Sequence, residues 1–246
     1  MSTKRYVGAD GCRTGWFAVA IDETGGAAHR IFDRVESLWA AHWDSEVILM
    51  DIPIGLNSRG KDHRTCDTMA RNVLKPFRHS SVFTAPFREA LSAGSYEAAC
   101  RINHGLCGKR LSRQVWNIAG KIKEVDDFLT GHPEAAGMLR ETHPEVCFWA
   151  LNGRRPMAHR KKSAAGAAER IHLLERAYPG AGALYSAALG RYPRRDLSPD
   201  DILDAMVNAV TATRLEHCEA TLPADPPRDA LGLPMEMVYA SSETAA

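Results

Sequence analysis

The chain has 246 residues, 45% of them apolar and 25% charged, with 31 Lys and Arg set against 30 Asp and Glu. That is the balance of a soluble globular protein with enough apolar material for one large core, and no apolar run approaches the twenty or so residues of a membrane-crossing helix. The polar start Met1-Ser2-Thr3-Lys4-Arg5 leads into no signal-peptide core and the 6 cysteines are irregularly spaced, so a reducing cytoplasm is the expected compartment and disulfides are not expected.

In chain order, Tyr6 to Asp10 alternates as a strand does, and Gly15 opens a second strand through Ile21. The Glu23-Thr24-Gly25-Gly26 turn leads to a third, about Ala28 to Phe32, so the chain begins as an antiparallel meander. An amphipathic helix around Val35 to Trp43 follows. Val47-Ile48-Leu49-Met50 is then apolar without alternation, as suits a parallel strand buried on both faces, and it ends in Asp51-Ile52-Pro53. From about Ser58 to Arg140 the patterns are helical: Arg64 to Leu74, Pro86 to Ser92, Tyr96 to Gly105, and a long helix near Ser112 to Leu129. A short strand is expected at Val146 to Leu151, then an alanine-rich helix to about Tyr178 and a Gly/Ala/Pro-rich connection. The last helix carries Asp201 and Asp204. These elements predict an α/β domain with a mixed five-stranded sheet, a three-strand meander followed by parallel strands, flanked by helices. The domain is expected over residues 1–222 with a helical insertion at about 58–140, and residues 223–246 read as an irregular tail.

Asp201 and Asp204 lie three residues apart on one helix, so both carboxylates can reach one cation. A second reading competes. Ser198 followed by Asp201 is a capping-box start with Pro199 at the first helical position, and Asp201, Asp204, Asn208 and Thr211 could form a solvated stripe. Capping explains Asp201 well and Asp204 poorly. Asp10 ends the first strand and Asp51 the fourth, and ligands of open α/β sheets collect at the carboxyl ends of strands. If those strands are adjacent and parallel, four acids converge. Such a cluster repels itself without a cation and suits magnesium or manganese, with room for two ions. Two ions held by carboxylates can activate water and stabilise a leaving oxygen in phosphodiester cleavage.

The segments Gly8-Ala9-Asp10-Gly11, Asp51-Ile52-Pro53-Ile54-Gly55-Leu56 and Asp201-x-x-Asp204-Ala205 resemble the RNase H-like superfamily, and the helix pair is similar to that of RuvC-type resolvases. More closely, Arg64-Thr65-Cys66-Asp67, Ser80 to Pro86, Glu141-Thr142-His143-Pro144-Glu145 and Asp200 to Ala205 resemble a bacterial family catalogued as domain of unknown function 429, described as predicted nucleases of RNase H fold. The resemblance implies an RNase H-like fold and makes Asp10, Asp51, Asp201 and Asp204 expected metal ligands. It also implies a further carboxylate in Glu145, or Glu141, and a proton-moving or phosphate-binding role for His143. The strand-four acid of resolvases is often glutamate, and here it is the shorter Asp51.

Residues 59–123 carry 13 Lys and Arg against 4 Asp and Glu, a basic stretch suited to an anionic strand. Arg64, Arg71 and Arg78 are the first phosphate contacts expected, then Lys109, Arg110 and Arg113, with Ser80 and Ser81 as hydroxyl contacts. His63-x-x-Cys66 and Cys100-x-x-x-His104-x-x-Cys107 offer ligands for structural zinc, which the missing Cys-x-x-Cys pair disfavours. The expected function is a magnesium- or manganese-dependent nuclease acting on DNA or RNA. A kinase- or ATPase-like phosphotransferase of the related actin and sugar-kinase class is the first rival, although no second glycine-rich hairpin is present. A non-catalytic nucleic-acid-binding module is the other. No membrane partner is expected, and a homodimer is left open.

Overall fold

The computed structural model describes residues 3–58 and 63–241. Its main sheet has the order β3-β2-β1-β4-β5. β1 (Arg5–Cys12), β2 (Gly15–Asp22) and β3 (Ala27–Phe32) form the antiparallel meander, β4 (Val47–Met50) pairs parallel with β1, and β5 (Leu139–Glu141) pairs parallel with β4. The layout is the α/β one expected, a five-stranded mixed sheet flanked by helices.

Side-chain alternation along the two central strands decides what faces where. Val7 and Ala9 of β1, and Ile48 and Met50 of β4, enter a core with α1 (Val35–His42) and the long α4 (Arg113–Gly131), which also holds Ile122, Val125 and Leu129. The alternate residues face the opposite side, where α8 (Pro199–Ala212) lies. Gly8 is the contact point: a Cβ there would sit 2.0 Å from Ala209 N, so only glycine lets α8 lie flat on β1. Asn208 Nδ2 donates to Ala9 O at 3.1 Å, tying helix to strand. The polar stripe of α8 therefore faces the sheet, not solvent. All residues from Ile202 to Ala212 are buried, because α5 (Pro144–Leu151), α6 (Ala164–Ala177) and α7 (Ala181–Arg191) cover the outer side of α8.

Several elements differ from expectation. Val146 to Leu151 is helix, the body of α5, and the fifth strand is the preceding Leu139–Glu141. An apolar run buried on every side carries no period, so strand and helix look alike in it. What makes it helical is its start, where His143 Nδ1 accepts from Glu145 N at 3.2 Å and Pro144 occupies the first turn. The region from Ser58 to Arg140 holds α2 (Thr65–Val73), α3 (Tyr96–Cys107) and α4, but Pro86 to Ser92 gives only a 3-10 stretch, Arg88–Ser92. The Gly/Ala/Pro-rich connection contains α7. After the short α9 (Leu215–Cys218), β6 (Glu219–Leu222) pairs antiparallel with β7 (Met237–Ala240). The segment after Leu222 is thus not wholly irregular: all four residues of β7 are buried, and Thr142 Oγ1 donates to Val238 O at 2.6 Å beside the end of β5. Among the described residues no helix is long and apolar enough to cross a membrane.

Candidate metal centre

Parity and register build the site. Asp10 lies two residues beyond Gly8 and Asp51 two beyond Leu49, so both emerge on the α8 side of the sheet. The parallel pairing of Ala9 with Met50 sets them side by side, and Asp51 N donates to Ala9 O at 3.1 Å. Asp204, one turn into α8, comes down onto the same rim. Asp10, Asp51 and Asp204 each offer a carboxylate oxygen, and these atoms all lie within 4.8 Å of one another. Asp10 Oδ1 accepts from Gly11 N at 2.7 Å, which fixes the carboxylate plane. The three acids line a cavity of about 510 Å³ shared with Asp201, Glu145, His143, Lys121 and Lys161.

The electrostatics are those of an anion cluster wanting a cation. Burial, then the charges of Asp51 and Asp204, holds the Asp10 carboxyl well above the usual carboxylate range. Burial, then Asp204, pushes Asp51 up to about 7. Lys161 supplies the nearest positive charge: its Nζ donates to Asp204 Oδ2 at 2.6 Å and lies 3.7 Å from Asp200. Burial alone would lower that ammonium, yet Asp204, Asp10 and Asp51 hold it above its ordinary value. Only 2% of the Asp204 side chain is exposed, so this is no surface ion pair.

The other expected acids divide. Asp201 completes the capping box, its Oδ2 accepting from Ser198 N at 3.0 Å while Ser198 Oγ accepts from Asp201 N. It lines the cavity but stands outside the set of three. Glu145 pairs through Oε1 with the fully buried Arg170, and its buried Oε2 has no hydrogen-bond partner among the described residues. An orphaned carboxylate oxygen on a residue lining this cavity is what a further ligand looks like before its cation arrives. Glu141 is not part of the centre. It pairs with Arg64, accepts from Ile54 N at 2.7 Å, and is pushed by burial to about 8.

His143 is half-buried, and desolvation holds its imidazole below the usual histidine range. Its Nδ1 accepts from Glu145 N, which ties the ring to the start of α5. Its geometry is that of a residue that caps α5 beside Glu145 while lining the acid cavity.

The basic residues fare unevenly. Arg64 is 2% exposed and closed by Glu141 and Asp67, so it cannot meet a phosphate. Arg78 donates to Met157 O at 2.9 Å and Ala158 O at 2.7 Å, pinning a loop. Arg113 stacks on the Tyr96 ring at 3.7 Å. Ser81 Oγ donates to Arg78 O at 2.7 Å and lines the acid cavity. Arg71, Lys109, Arg110 and Ser80 line a second cavity. Lys121 and Lys161, which line the acid cavity, and Arg170, which pairs with Glu145, are cations that sequence pattern does not single out. Lys121 Nζ donates to Gly15 O at 2.5 Å and lies 4.6 Å from the centre of the Trp16 ring, on the α4 side of the cavity mouth. Among the described residues, the groups able to hold a metal are Asp10, Asp51 and Asp204, and a second set of Cys66, Asp67 and Glu141 that Arg64 already fills. His63, Cys100, His104 and Cys107 belong to neither, so the zinc ligands weighed above are not gathered.

A family model described as "Protein of unknown function (DUF429)" matches residues 8–228, which takes in the end of β1 from Gly8, α8 and all the acids described here. No curated protein matches the chain, and no solved structure does.

Proposed function

The chain belongs to the DUF429 family, whose description names no function, and on that premise we propose that it is a metal-dependent nuclease that hydrolyses phosphodiester bonds of nucleic acid. The observation that carries the reading is the set of Asp10, Asp51 and Asp204 oxygens within 4.8 Å of one another at the mouth of one cavity. The donor chemistry fits the group: three hard oxygen ligands on rigid elements, mutually repelling, with the orphaned Glu145 Oε2 beside them, suit magnesium or manganese and not a soft metal.

A divalent ion, when bound, supplies a Lewis acid for the phosphoryl oxygen and a more acidic water. The chain's own residues do the rest. Asp10 and Asp51 are held by strand backbone and Asp204 by a helix buried on all sides, so the ligands lose little freedom on binding. Lys161 balances the acids and lies where it can follow charge moving onto a phosphate. Arg13, Lys121 and the Gln114 and Asn117 amides line the same cavity and can hold phosphate oxygens of the strand.

The test is cleavage of a panel of branched, flapped and single-stranded DNA and RNA with manganese. Asp10→Asn and Asp204→Asn are each expected to lower the rate by at least about a hundredfold, the usual effect of losing one charge-stabilising group. Absence of cleavage across the panel, together with no manganese binding by calorimetry, overturns the reading.

A further inference from the structure

A second cavity, of about 360 Å³, opens beside the acid centre, and Phe83 lines both. Its chemistry is the opposite of its neighbour's. Arg71, Lys109 and Arg110 line it, and no Asp or Glu among the described residues does. Arg71 is oriented by neutral acceptors, its Nε donating to Val82 O at 2.8 Å and its Nη2 to Thr84 Oγ1 at 2.9 Å, and no carboxylate of the described residues pairs with it. Among the described residues Arg110 has no hydrogen bond or ion pair, and Lys109 Nζ meets the His63 ring, at 2.8 Å. The walls are tied together by the buried Asn103: its Oδ1 accepts from Phe87 N at 3.0 Å and its Nδ2 donates to Lys109 O at 2.8 Å. That bridge holds the aromatic side and the cationic side of the cavity at a fixed span.

We propose that this cavity is a nucleotide subsite, in which Arg71, Lys109 and Arg110 hold a phosphate and the half-buried Phe83 ring receives the base of one unpaired nucleotide. Three cations facing an aromatic surface match a phosphate joined to a base. The volume lies at the small end of ligand cavities and suits one nucleotide, not a duplex. Since Phe83 is the shared wall, a strand held here passes directly to the acids. The inference takes the identity of that strand from the nuclease reading, but the binding itself does not depend on catalysis.

The full chain is titrated calorimetrically in EDTA with thymidine 5′-monophosphate, thymidine and inorganic phosphate, and by fluorescence anisotropy with labelled oligothymidylate bearing a 5′-phosphate or a 5′-hydroxyl. In EDTA no metal bridges phosphate to the acids, and Lys109 and Arg110, which line the second cavity and not the first, report by their variants which cavity is filled. Thymidine 5′-monophosphate is expected to bind at least tenfold more tightly than thymidine. Lys109→Ala and Arg110→Ala, both exposed and safe for folding, should together weaken it at least tenfold, and Phe83→Leu should weaken the nucleotide but not inorganic phosphate. A preference for the 5′-phosphorylated oligomer places a strand end in the cavity, and equal binding places an internal nucleotide there. Equal affinity for nucleotide and nucleoside, or an unchanged double variant, overturns the proposal. Nucleotide binding by a protein that cleaves nothing and binds no manganese keeps the subsite and removes the nuclease, whereas cleavage with no nucleotide binding in EDTA does the reverse.

Discussion

Asp51→Asn separates a metal centre from a merely structural acid cluster, because it should stabilise the protein in one condition and cripple it in another. In the metal-free protein the Asp51 carboxyl titrates at about 7 against 3.8 when unperturbed, through burial and the Asp204 charge. A difference of that size corresponds to about 4 kcal/mol. Coulomb's law gives a similar scale: two carboxylate charges no more than 4.8 Å apart repel by at least about 3.5 kcal/mol at an effective dielectric constant of about 20. A carboxyl whose pKa is higher folded than unfolded keeps its proton longer in the folded state. Its contribution is therefore fully present below about pH 4, falls as pH rises, and is lost above about pH 7. Asparagine carries no charge and escapes that loss. At pH 8 in EDTA the variant should be more stable by about 2–4 kcal/mol, allowing for its lost attraction to Lys161, or roughly 5–15 °C in Tm for a chain of this size. At pH 4.5 the same linkage leaves a gap of only about 1 kcal/mol. Manganese at a hundredfold excess over its Kd should add about 2.7 kcal/mol to the wild type and little to the variant. Thermal unfolding at pH 4.5 and 8, with EDTA or manganese, measures all four values. A variant less stable than wild type in EDTA at pH 8, or a wild type indifferent to manganese, refutes the reasoning.

Lys161→Met removes the cation that Asp204 bonds in the metal-free state, and should cost about 1–3 kcal/mol in EDTA, as for a hydrogen bond to a charged group. Saturating manganese should return that loss, and a deficit that persists in manganese marks Lys161 as a structural partner only. Gly8→Ala places a Cβ 2.0 Å from Ala209 N and must push α8 off the sheet. A loss of at least about 3 kcal/mol in chemical denaturation, with lost manganese binding from displacement of Asp204, is expected; a variant of wild-type stability would mean that α8 does not lie as described.

What sequence can carry is a side chain's face, and what it cannot carry is that side chain's partner. Asp10 and Asp51 are legible because each follows a strand whose alternation and buried run are visible, and adjacency then forces them together. Asp204 follows once the alanines and Asn208 turn its stripe inward, and Asp201 is readable as a cap from Ser198 and Pro199 alone. The cations behave differently. Arg64 meets Glu141 across 77 residues, Arg170 meets Glu145 across 25, and Lys161 meets Asp204 across 43. No local period encodes such pairs, so a basic stretch gives the sign of a field and not which of its members are already neutralised. The same distinction explains why Lys109 and Arg110 stay open. They follow Gly108, whose left-handed conformation ends α3, and lie just before Ser112, which caps α4. Two helix ends hold them at a cavity whose described lining carries no acid to claim them. Of the basic residues singled out by sequence, those that remain available to a phosphate are the ones on this short connection, together with Arg71, whose acceptors are neutral.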